Sequence, residues 1–203
     1  RILTWAVTEK DPRLRAESVN LEAVEEGDNY VLNGTKMFVE HFTNADQCLV
    51  ACRTTQGSKG EDGVSLILVD TKTAGIAATP MVNIAKDKLD KVVFDNVRIP
   101  KANIIGEADK GWPAVEALLE RATGLLCLQM TGATRKTMEL AVEYAKHRMA
   151  FGRPIGAFQV ISHTLADMLI WMDGCELLSY EALWRLDQGL PASVEVSQAK
   201  AFC

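Results

Sequence analysis

The stretch RMAFGRPIGAFQ carries the most distinctive chemistry of the sequence. Arg148 and Arg153 offer planar guanidinium groups that can donate several hydrogen bonds to phosphate oxygens. Phe151 and Phe158 can cover an aromatic ring, and Gln159 can read the edge of a base. A cation beside two stacking faces is what a dinucleotide cofactor requires. The alternative is a turn between two helices in which the phenylalanines only pack against the bundle.

Glycine and proline separate this stretch from the long apolar patterns on either side. Gly152 and Pro154 disfavour continuation of a helix. The preceding pattern has helical spacing from Trp112 to about His147. The following one runs from Val160 to about Gly189, and Pro191 begins a third. These patterns predict an antiparallel bundle whose first two helices exceed about 25 residues.

Residues 1 to about 100 show short apolar or alternating patterns with frequent turns instead. The dipeptide Asn33-Gly34 predicts a two-residue hairpin, and Glu26-Gly27-Asp28-Asn29 predicts a further turn. Short strands with frequent turns favour a compact antiparallel barrel or sandwich. The clearest strand candidates are Ile2–Val7, Cys48–Arg53, Val64–Val69, Ile76–Met81 and Lys91–Phe94.

The pattern changes near Gly106, so the sequence predicts an α+β protein with two domains. Residues 1–107 would form the antiparallel β-barrel or sandwich, and residues 108–203 part of a long-helix bundle. The chain begins within a strand pattern and ends within a helical one. We therefore expect a fragment that is incomplete at both ends.

Composition excludes several classes of function. The formal charge of −5 argues against a broad nucleic-acid surface, and no apolar run is long enough for a membrane span. Five cysteines without small-domain spacing indicate a reducing compartment. Cys48 and Cys52 share a face of their strand, but no second pair or histidine cluster completes a metal site. We expect both to be buried free thiols.

Four motifs resemble segments of the acyl-CoA dehydrogenase family. The pattern R-x-x-F-G-x-P-I-x-x-F-Q resembles the turn between two helices of its C-terminal domain. The segments WAVTE, NGTKMFVE and FDNVRIP with the following IGE resemble parts of its middle domain. In that family, as in this sequence, a domain of strands precedes a domain of long helices. The sequence is identified as a member that lacks the family's first helical domain and its last helices.

The resemblance implies that the cofactor is FAD. Arg148, Phe151 and Gln159 match family residues that contact FAD, typically the FAD of a neighbouring subunit. Thr8 matches a threonine that holds the flavin ring. Without the family, a strand-end hydroxyl that satisfies local backbone groups would be the preferred interpretation of Thr8.

Two matched positions and one loop depart from the family pattern. Phe38 replaces a tryptophan that flanks the flavin and keeps an apolar face. Glu40 replaces a threonine near the reactive flavin nitrogen, where an ionised carboxylate would repel a reduced flavin. It is turned away, or protonated, or the flavin is held differently. The loop Lys10–Arg15 lacks the family's glycines, and Leu14 stands where a serine is expected.

The reaction implied by the resemblance is α,β-desaturation of an acyl-CoA thioester, as in fatty-acid β-oxidation. The proton acceptor of most members would lie beyond Cys203, and a minority position falls on Ala122, which cannot act as a base. No catalytic residue is therefore predicted in this chain. Glu120 matches an acidic substrate contact of the family, and Thr123 stands where the family has an arginine that grips the CoA side. Most glutamates on a helix of this kind are, however, solvated.

The resemblance also implies partners. These are an acyl-CoA substrate, an electron-transfer flavoprotein or similar acceptor, and further subunits in a homodimer, homotetramer or heteromer. The expected location is the bacterial cytoplasm or the mitochondrial matrix. One alternative is a non-catalytic partner subunit of a heteromeric acyl-CoA dehydrogenase. Another is an oxidase- or monooxygenase-like relative that acts on a different substrate.

Overall fold

The computed structural model describes every residue from Arg1 to Cys203. The chain divides into two compact units, Arg1–Glu116 and Ala117–Cys203. The first unit contains a β-sheet and the second is helical, so the predicted α+β class is confirmed. The units divide within the first long helix, and the domain boundary after residue 107 stays a prediction.

The first unit contains eight strands: β1 (Leu3–Ala6), β2 (Glu22–Glu26), β3 (Asn29–Glu40), β4 (Gln47–Arg53), β5 (Val64–Asp70), β6 (Ile76–Met81), β7 (Leu89–Pro100) and β8 (Ile104–Ile105). They form one sheet in the order β6-β7-β3-β2-β4-β5-β8, with β1 paired to β4. Most neighbouring strands are antiparallel, but β1 and β2 run parallel to β4.

The sheet is not closed, so the predicted barrel is wrong. A barrel requires hydrogen bonds between its first and last strands. Here β6 pairs only with β7, and β8 pairs only with β5. Strand β8 has two residues, and β6 is mostly exposed and contains Pro80, which cannot donate to a ladder. Neither edge is suited to extending the sheet.

The predicted hairpin at Asn33-Gly34 is also wrong, because both residues lie inside β3. The true hairpin is at Gly27 and Asp28, where Glu26 pairs with Asn29. Gly34 occupies a register shift between β3 and β7 with φ of 148°. A Cβ at Gly34 would lie 3.0 Å from Leu21 Cγ, so glycine permits close approach rather than a turn.

Alternation along the central strands forms the core of the first unit. Cys48, Val50 and Cys52 of β4 are fully buried, together with Val92 and Phe94 of β7. All five cysteines are free, and the prediction of buried free thiols at 48 and 52 is confirmed. Burial raises the pKa of both thiols to about 12.

Three helices make up most of the second unit: α1 (Trp112–His147), α2 (Gln159–Asp187) and α3 (Ser193–Phe202). The first two have 36 and 29 residues, which confirms the prediction of helices longer than 25. A two-stranded ribbon between them pairs β9 (Met149–Ala150) with β10 (Arg153–Pro154). None of the helices combines the length and apolarity needed to cross a membrane.

Small residues let the three helices pack closely. Cys127 of α1, Ala182 of α2 and Ala199 of α3 are fully buried in one cluster. A Cβ at Gly124 would lie 2.9 Å from Leu183 Cδ2. Glycine weakens a helix by about 1 kcal/mol, and here it makes room for a neighbouring side chain.

Candidate functional site

Thr8 and Phe38 lie on neighbouring segments of the first unit. Thr8 follows β1 and is half-buried, and its carbonyl accepts a hydrogen bond from the Met37 amide at 2.8 Å. Phe38 comes next in β3, at a bulge between Lys36 and Val39. Its φ of 56° is left-handed, which is rare for a bulky residue. Phe38 is 48% exposed, and it directly follows the residue whose amide binds Thr8.

A buried ion pair holds this region together. Lys36 Nζ donates to Glu9 Oε1 at 2.8 Å and to the Val7 carbonyl at 3.1 Å. The side chain of Lys36 is 0% exposed, and that of Glu9 is 9% exposed. Burial lowers the pKa of Lys36, and the charge of Glu9 opposes this effect. Loss of one partner of such a pair costs about 3–5 kcal/mol.

Sequence reasoning assigned no role to Glu9 or Lys36, although both stand in the motifs Thr8-Glu9 and Asn33-Gly34-x-Lys36. The signal was the position of Lys36 in the alternating strand pattern, four residues after Leu32 and therefore on the same face. An unpaired lysine is rarely tolerated on the buried face of a strand. A partner carboxylate was therefore required. Its position in the sequence could not be deduced, because the two residues are 27 positions apart.

Glu40 ends β3 with an exposed side chain, and its backbone carbonyl accepts a hydrogen bond from the Thr4 hydroxyl at 2.5 Å. The carboxylate therefore lies at the surface of the unit. Whether it faces a cofactor stays a prediction.

A cavity of ≈ 620 Å³ lies beside Phe38. Pro12 and Leu21 contribute apolar surface, while Lys10 and Lys91 add positive charge. The loop around Pro12 is shaped by an Asp11–Arg13 ion pair at 2.6 Å. The Arg13 side chain, a hydrogen-bond donor to Asp11, holds the pKa of that carboxyl far below its usual range. The loop without glycines also has a local backbone hydrogen bond, from the Arg15 amide to the Arg13 carbonyl at 2.8 Å.

The turn after α1 exposes the predicted Arg148, Phe151 and Gln159. Backbone hydrogen bonds fix Arg148: its amide donates to Tyr144 at 2.9 Å, and its carbonyl accepts from Ile155 at 2.8 Å. Its side chain is exposed and joins none of the arginine ion pairs of the chain. Phe151 is 95% exposed and has a left-handed φ of 50°. Gln159 begins α2 and is also exposed.

Phe158 and Arg153 have structural contacts in the same turn. The Arg153 guanidinium lies over the Phe158 ring at 4.1 Å from its centroid, and Phe151 meets that ring edge-on at 6.2 Å. Cation–π and edge-to-face contacts of this kind stiffen the turn. The alternative in which both phenylalanines only pack against the bundle does not fit Phe151.

Glu120 and Thr123 line a groove of ≈ 480 Å³ between α1 and α3. Glu120 Oε1 accepts a hydrogen bond from the Ser193 hydroxyl at 2.7 Å, and Lys200 lies on the same groove. The Thr123 hydroxyl donates to the Leu119 carbonyl at 2.8 Å, so it is already satisfied within the helix. Arg148 lies 25 to 28 residues after Thr123 and Glu120, or about 40 Å further along at 1.5 Å per residue. Within one chain, this groove and the turn that contains Arg148 are therefore separate.

Two family models match the chain. "Acyl-CoA dehydrogenase, middle domain" matches residues 4–97, and "Acyl-CoA dehydrogenase, C-terminal domain" matches residues 109–203. Together they include every predicted cofactor and substrate position. They do not test the roles of individual residues.

Curated relatives and solved structures extend this similarity. A 3-(aryl)acrylate reductase of Clostridium sporogenes is 33% identical over 100% of this chain and 54% of its own length. The caffeyl-CoA reductase-Etf complex subunit CarC of Acetobacterium woodii is 30% identical over 98% of this chain and 53% of its own. A structure of PigA with FAD and proline has a TM-score of 0.91 at 28% identity, over 98% of this chain and 53% of that one. The chain thus spans about half the length of the curated relatives it matches.

Proposed function

The chain belongs to the acyl-CoA dehydrogenase family, and on that premise we propose that the full-length protein is an FAD-dependent acyl-CoA dehydrogenase. The reaction is α,β-desaturation of an acyl-CoA thioester. Bound FAD would supply the hydride acceptor for this reaction, and Thr8, Phe38, Arg148, Phe151 and Gln159 would hold it. The observation that carries the proposal is the exposed Arg148, Phe151 and Gln159 set, held in a rigid turn of a chain from this family.

The residues present fit FAD. Phe151 exposes almost its whole ring in a strained backbone conformation, which a bound planar group would cover. Arg148 has a free guanidinium suited to a pyrophosphate. In the first unit, Thr8 offers a hydroxyl and Phe38 a half-exposed ring for the flavin end. Arg148, Phe151 and Gln159 then serve the FAD of a neighbouring copy.

Substrate recognition is assigned to the groove that contains Glu120 and Thr123. Glu120 is oriented by Ser193 and can accept a hydrogen bond from the substrate. Thr123 is neutral where the family has an arginine, so the CoA side depends on other cations. Within these residues, only Ala122 matches a family position for the base that removes the α-proton, and alanine has no proton acceptor. We therefore place the base in another part of the full-length protein.

Assembly and location form part of the proposal. The shared cofactor site requires a homodimer, homotetramer or heteromer. An electron-transfer flavoprotein is the proposed acceptor, in line with the name of the Acetobacterium woodii relative. Five free cysteines fit the reducing bacterial cytoplasm or mitochondrial matrix.

Loss of the family arginine at Thr123 and the changed Lys10–Arg15 loop favour a second candidate. It is a partner subunit that keeps half of a shared FAD site without turning over substrate. Leu14, which is 48% exposed, offers no hydroxyl where the family has a serine. The same features also fit a relative that acts on a different substrate, such as an oxidase- or monooxygenase-like enzyme.

Experiments on the purified full-length protein distinguish these candidate functions. FAD is titrated and followed by absorbance, and acyl-CoA thioesters of several chain lengths are then added without oxygen. Bleaching of the flavin band with formation of the enoyl thioester is the expected result. FAD binding without bleaching by any thioester would favour the partner subunit or a different substrate. Absence of FAD binding in a cooperatively folded protein would overturn the enzyme proposal.

A further inference from the structure

The buried Glu9–Lys36 pair spans the residue predicted to hold the flavin ring. Lys36 Nζ donates to the Val7 carbonyl at 3.1 Å and to the Glu9 carboxylate at 2.8 Å. Thr8 lies between these two acceptors in the sequence. One ammonium group therefore holds the backbone carbonyl before Thr8 and the side-chain carboxylate after it.

The surrounding hydrogen bonds reinforce this arrangement. The amide of Met37, next to Lys36, donates to the Thr8 carbonyl at 2.8 Å. Glu9 Oε1 also accepts from the amides of Asn20 and Leu21, each at 2.9 Å. The carboxylate is thereby anchored to the segment that leads into β2. Three segments meet at this ion pair: the one that contains Thr8, strand β3 and the residues before β2. Their contacts fix the position of Thr8.

Phe38 is tied to the same pair through the chain. It lies two residues after Lys36, at the bulge that ends before Val39. Because Lys36 is completely buried, it fixes the point from which the bulge departs. Movement of Lys36 would change the separation of Phe38 and Thr8.

An ion pair is a poor device for stability alone at this place. Desolvation of two charges offsets much of their attraction, and apolar residues of similar volume often stabilise a protein as well or better. An apolar pair cannot, however, donate hydrogen bonds to two selected acceptors on either side of Thr8. Directional bonding is the property that the pair adds.

We propose that Glu9 and Lys36 are positioning residues, which hold Thr8 and Phe38 at the separation that the flavin requires. The inference rests on the proposed function, since it concerns FAD binding by the same chain. It assigns the pair no contact with substrate and no proton transfer.

The test compares variants of the full-length protein. Lys36→Met and Glu9→Gln are made singly and together, because the double variant leaves no uncompensated buried charge. Glu26→Gln with Arg98→Met is the matched control, since it removes an exposed ion pair of the same unit at 2.7 Å. For each protein we measure FAD affinity, the visible absorption and circular dichroism of the bound flavin, and the melting temperature. Titrations are done well below the melting temperature.

The expected result is a double variant that melts closer to wild type than Lys36→Met does, yet binds FAD about tenfold more weakly, the factor for one net hydrogen bond. Its bound flavin should show a shifted visible spectrum, which a loss of stability alone would not cause. The control should match wild type in all measurements. If the double variant does not fold, Glu9→Asp, which keeps both charges but withdraws the carboxylate by one methylene, should show the same changes to a smaller degree.

Wild-type affinity and an unshifted spectrum in the folded double variant would overturn the positioning role and leave the proposed function intact. Where the double variant does not fold, the same result in Glu9→Asp would overturn it. Wild-type protein that binds no FAD would overturn both proposals, so the two failures are distinguishable.

Discussion

An arginine that binds a pyrophosphate acts through its charge and through the planar arrangement of its donors. Hydrogen bonds to charged groups contribute about 1.5–3 kcal/mol each. We therefore expect Arg148→Ala to weaken FAD binding about ten- to a hundredfold, at about 1.4 kcal/mol per factor of ten. Arg148→Lys should recover part of this loss, because lysine keeps the charge without the planar geometry. FAD titration of the full-length variants measures both.

Arg135→Ala is the control for this prediction. Arg135 also lies on an exposed part of the second unit, but it pairs with Glu176. Its loss should leave FAD affinity unchanged. Thermal melts establish that each variant is folded. Unchanged FAD affinity in folded Arg148→Ala would show that the cofactor contact belongs to a different residue.

Cys48 and Cys52 should be inert towards alkylating reagents in the native protein. The thiolate is the reactive form, and burial raises the pKa of both thiols to about 12 while it also excludes the reagent. We expect labelling of both only when the β unit unfolds. Mass spectrometry after timed alkylation at pH 8, with and without denaturant, gives the ratio of rates. Comparable native and denatured rates at these two residues would contradict the buried placement.

At the scale of elements, alanine substitutions at two glycines with positive φ compare the cost of backbone strain with the cost of added steric overlap. Gly27 (φ 58°) has open space around an added Cβ, whereas a Cβ at Gly75 (φ 91°) would overlap the Asp95 carbonyl oxygen. Gly27→Ala should cost about 1–2 kcal/mol from the left-handed backbone alone. Gly75→Ala should cost roughly 2–5 kcal/mol, because crowding against β7 adds to the strain.

Melting temperatures of the two full-length variants test this order. Gly75→Ala should melt well below Gly27→Ala, and Gly27→Ala slightly below wild type. Equal melting temperatures would mean that β6 and β7 separate easily at this point.

How far the elements could be predicted depends on whether their signals are local. The bounds of α1 follow from Pro113 in the first turn and from the glycines after His147, and the sequence placed them closely. Asn33-Gly34 was misassigned because its glycine serves a contact with Leu21, which is distant in the sequence. The prediction of a barrel was wrong for a similar reason. Closure depends on whether β6 and β8 pair with each other, and patterns within either strand do not show this.

The candidate site shows the same difference between local signals, which the sequence reveals, and contacts between distant residues, which it does not. Arg148, Phe151 and Gln159 could be proposed from the sequence because all three stand in one motif, and their roles stay predictions. The exposure of Phe151 in a left-handed conformation was not predictable, since it depends on how the turn folds. The Glu9–Lys36 pair was missed because each residue has meaning only beside the other. The roles of Glu40 and Glu120 stay predictions.

At the scale of the whole molecule, exposed apolar side chains on the second unit indicate further covered surface. Trp171 and Trp184 of α2 are 61% and 57% exposed, and Phe151 is 95% exposed. Large exposed aromatic residues of this kind mark interaction surfaces. A second copy that shares its cofactor would cover part of this surface.

Sharing of FAD between copies links cofactor binding to association. If Arg148 of one subunit holds the FAD of another, FAD binds the oligomer more tightly than the monomer. By reciprocity, FAD must then strengthen association by the same factor. We expect the full-length protein to be a dimer or tetramer that loses FAD on dilution and that reassociates when FAD is added. Light scattering and flavin fluorescence over a dilution series measure the two quantities together. Arg148→Ala should reduce the coupling, whereas Arg135→Ala should retain it. A monomer that binds FAD with an affinity independent of protein concentration would contradict the shared site.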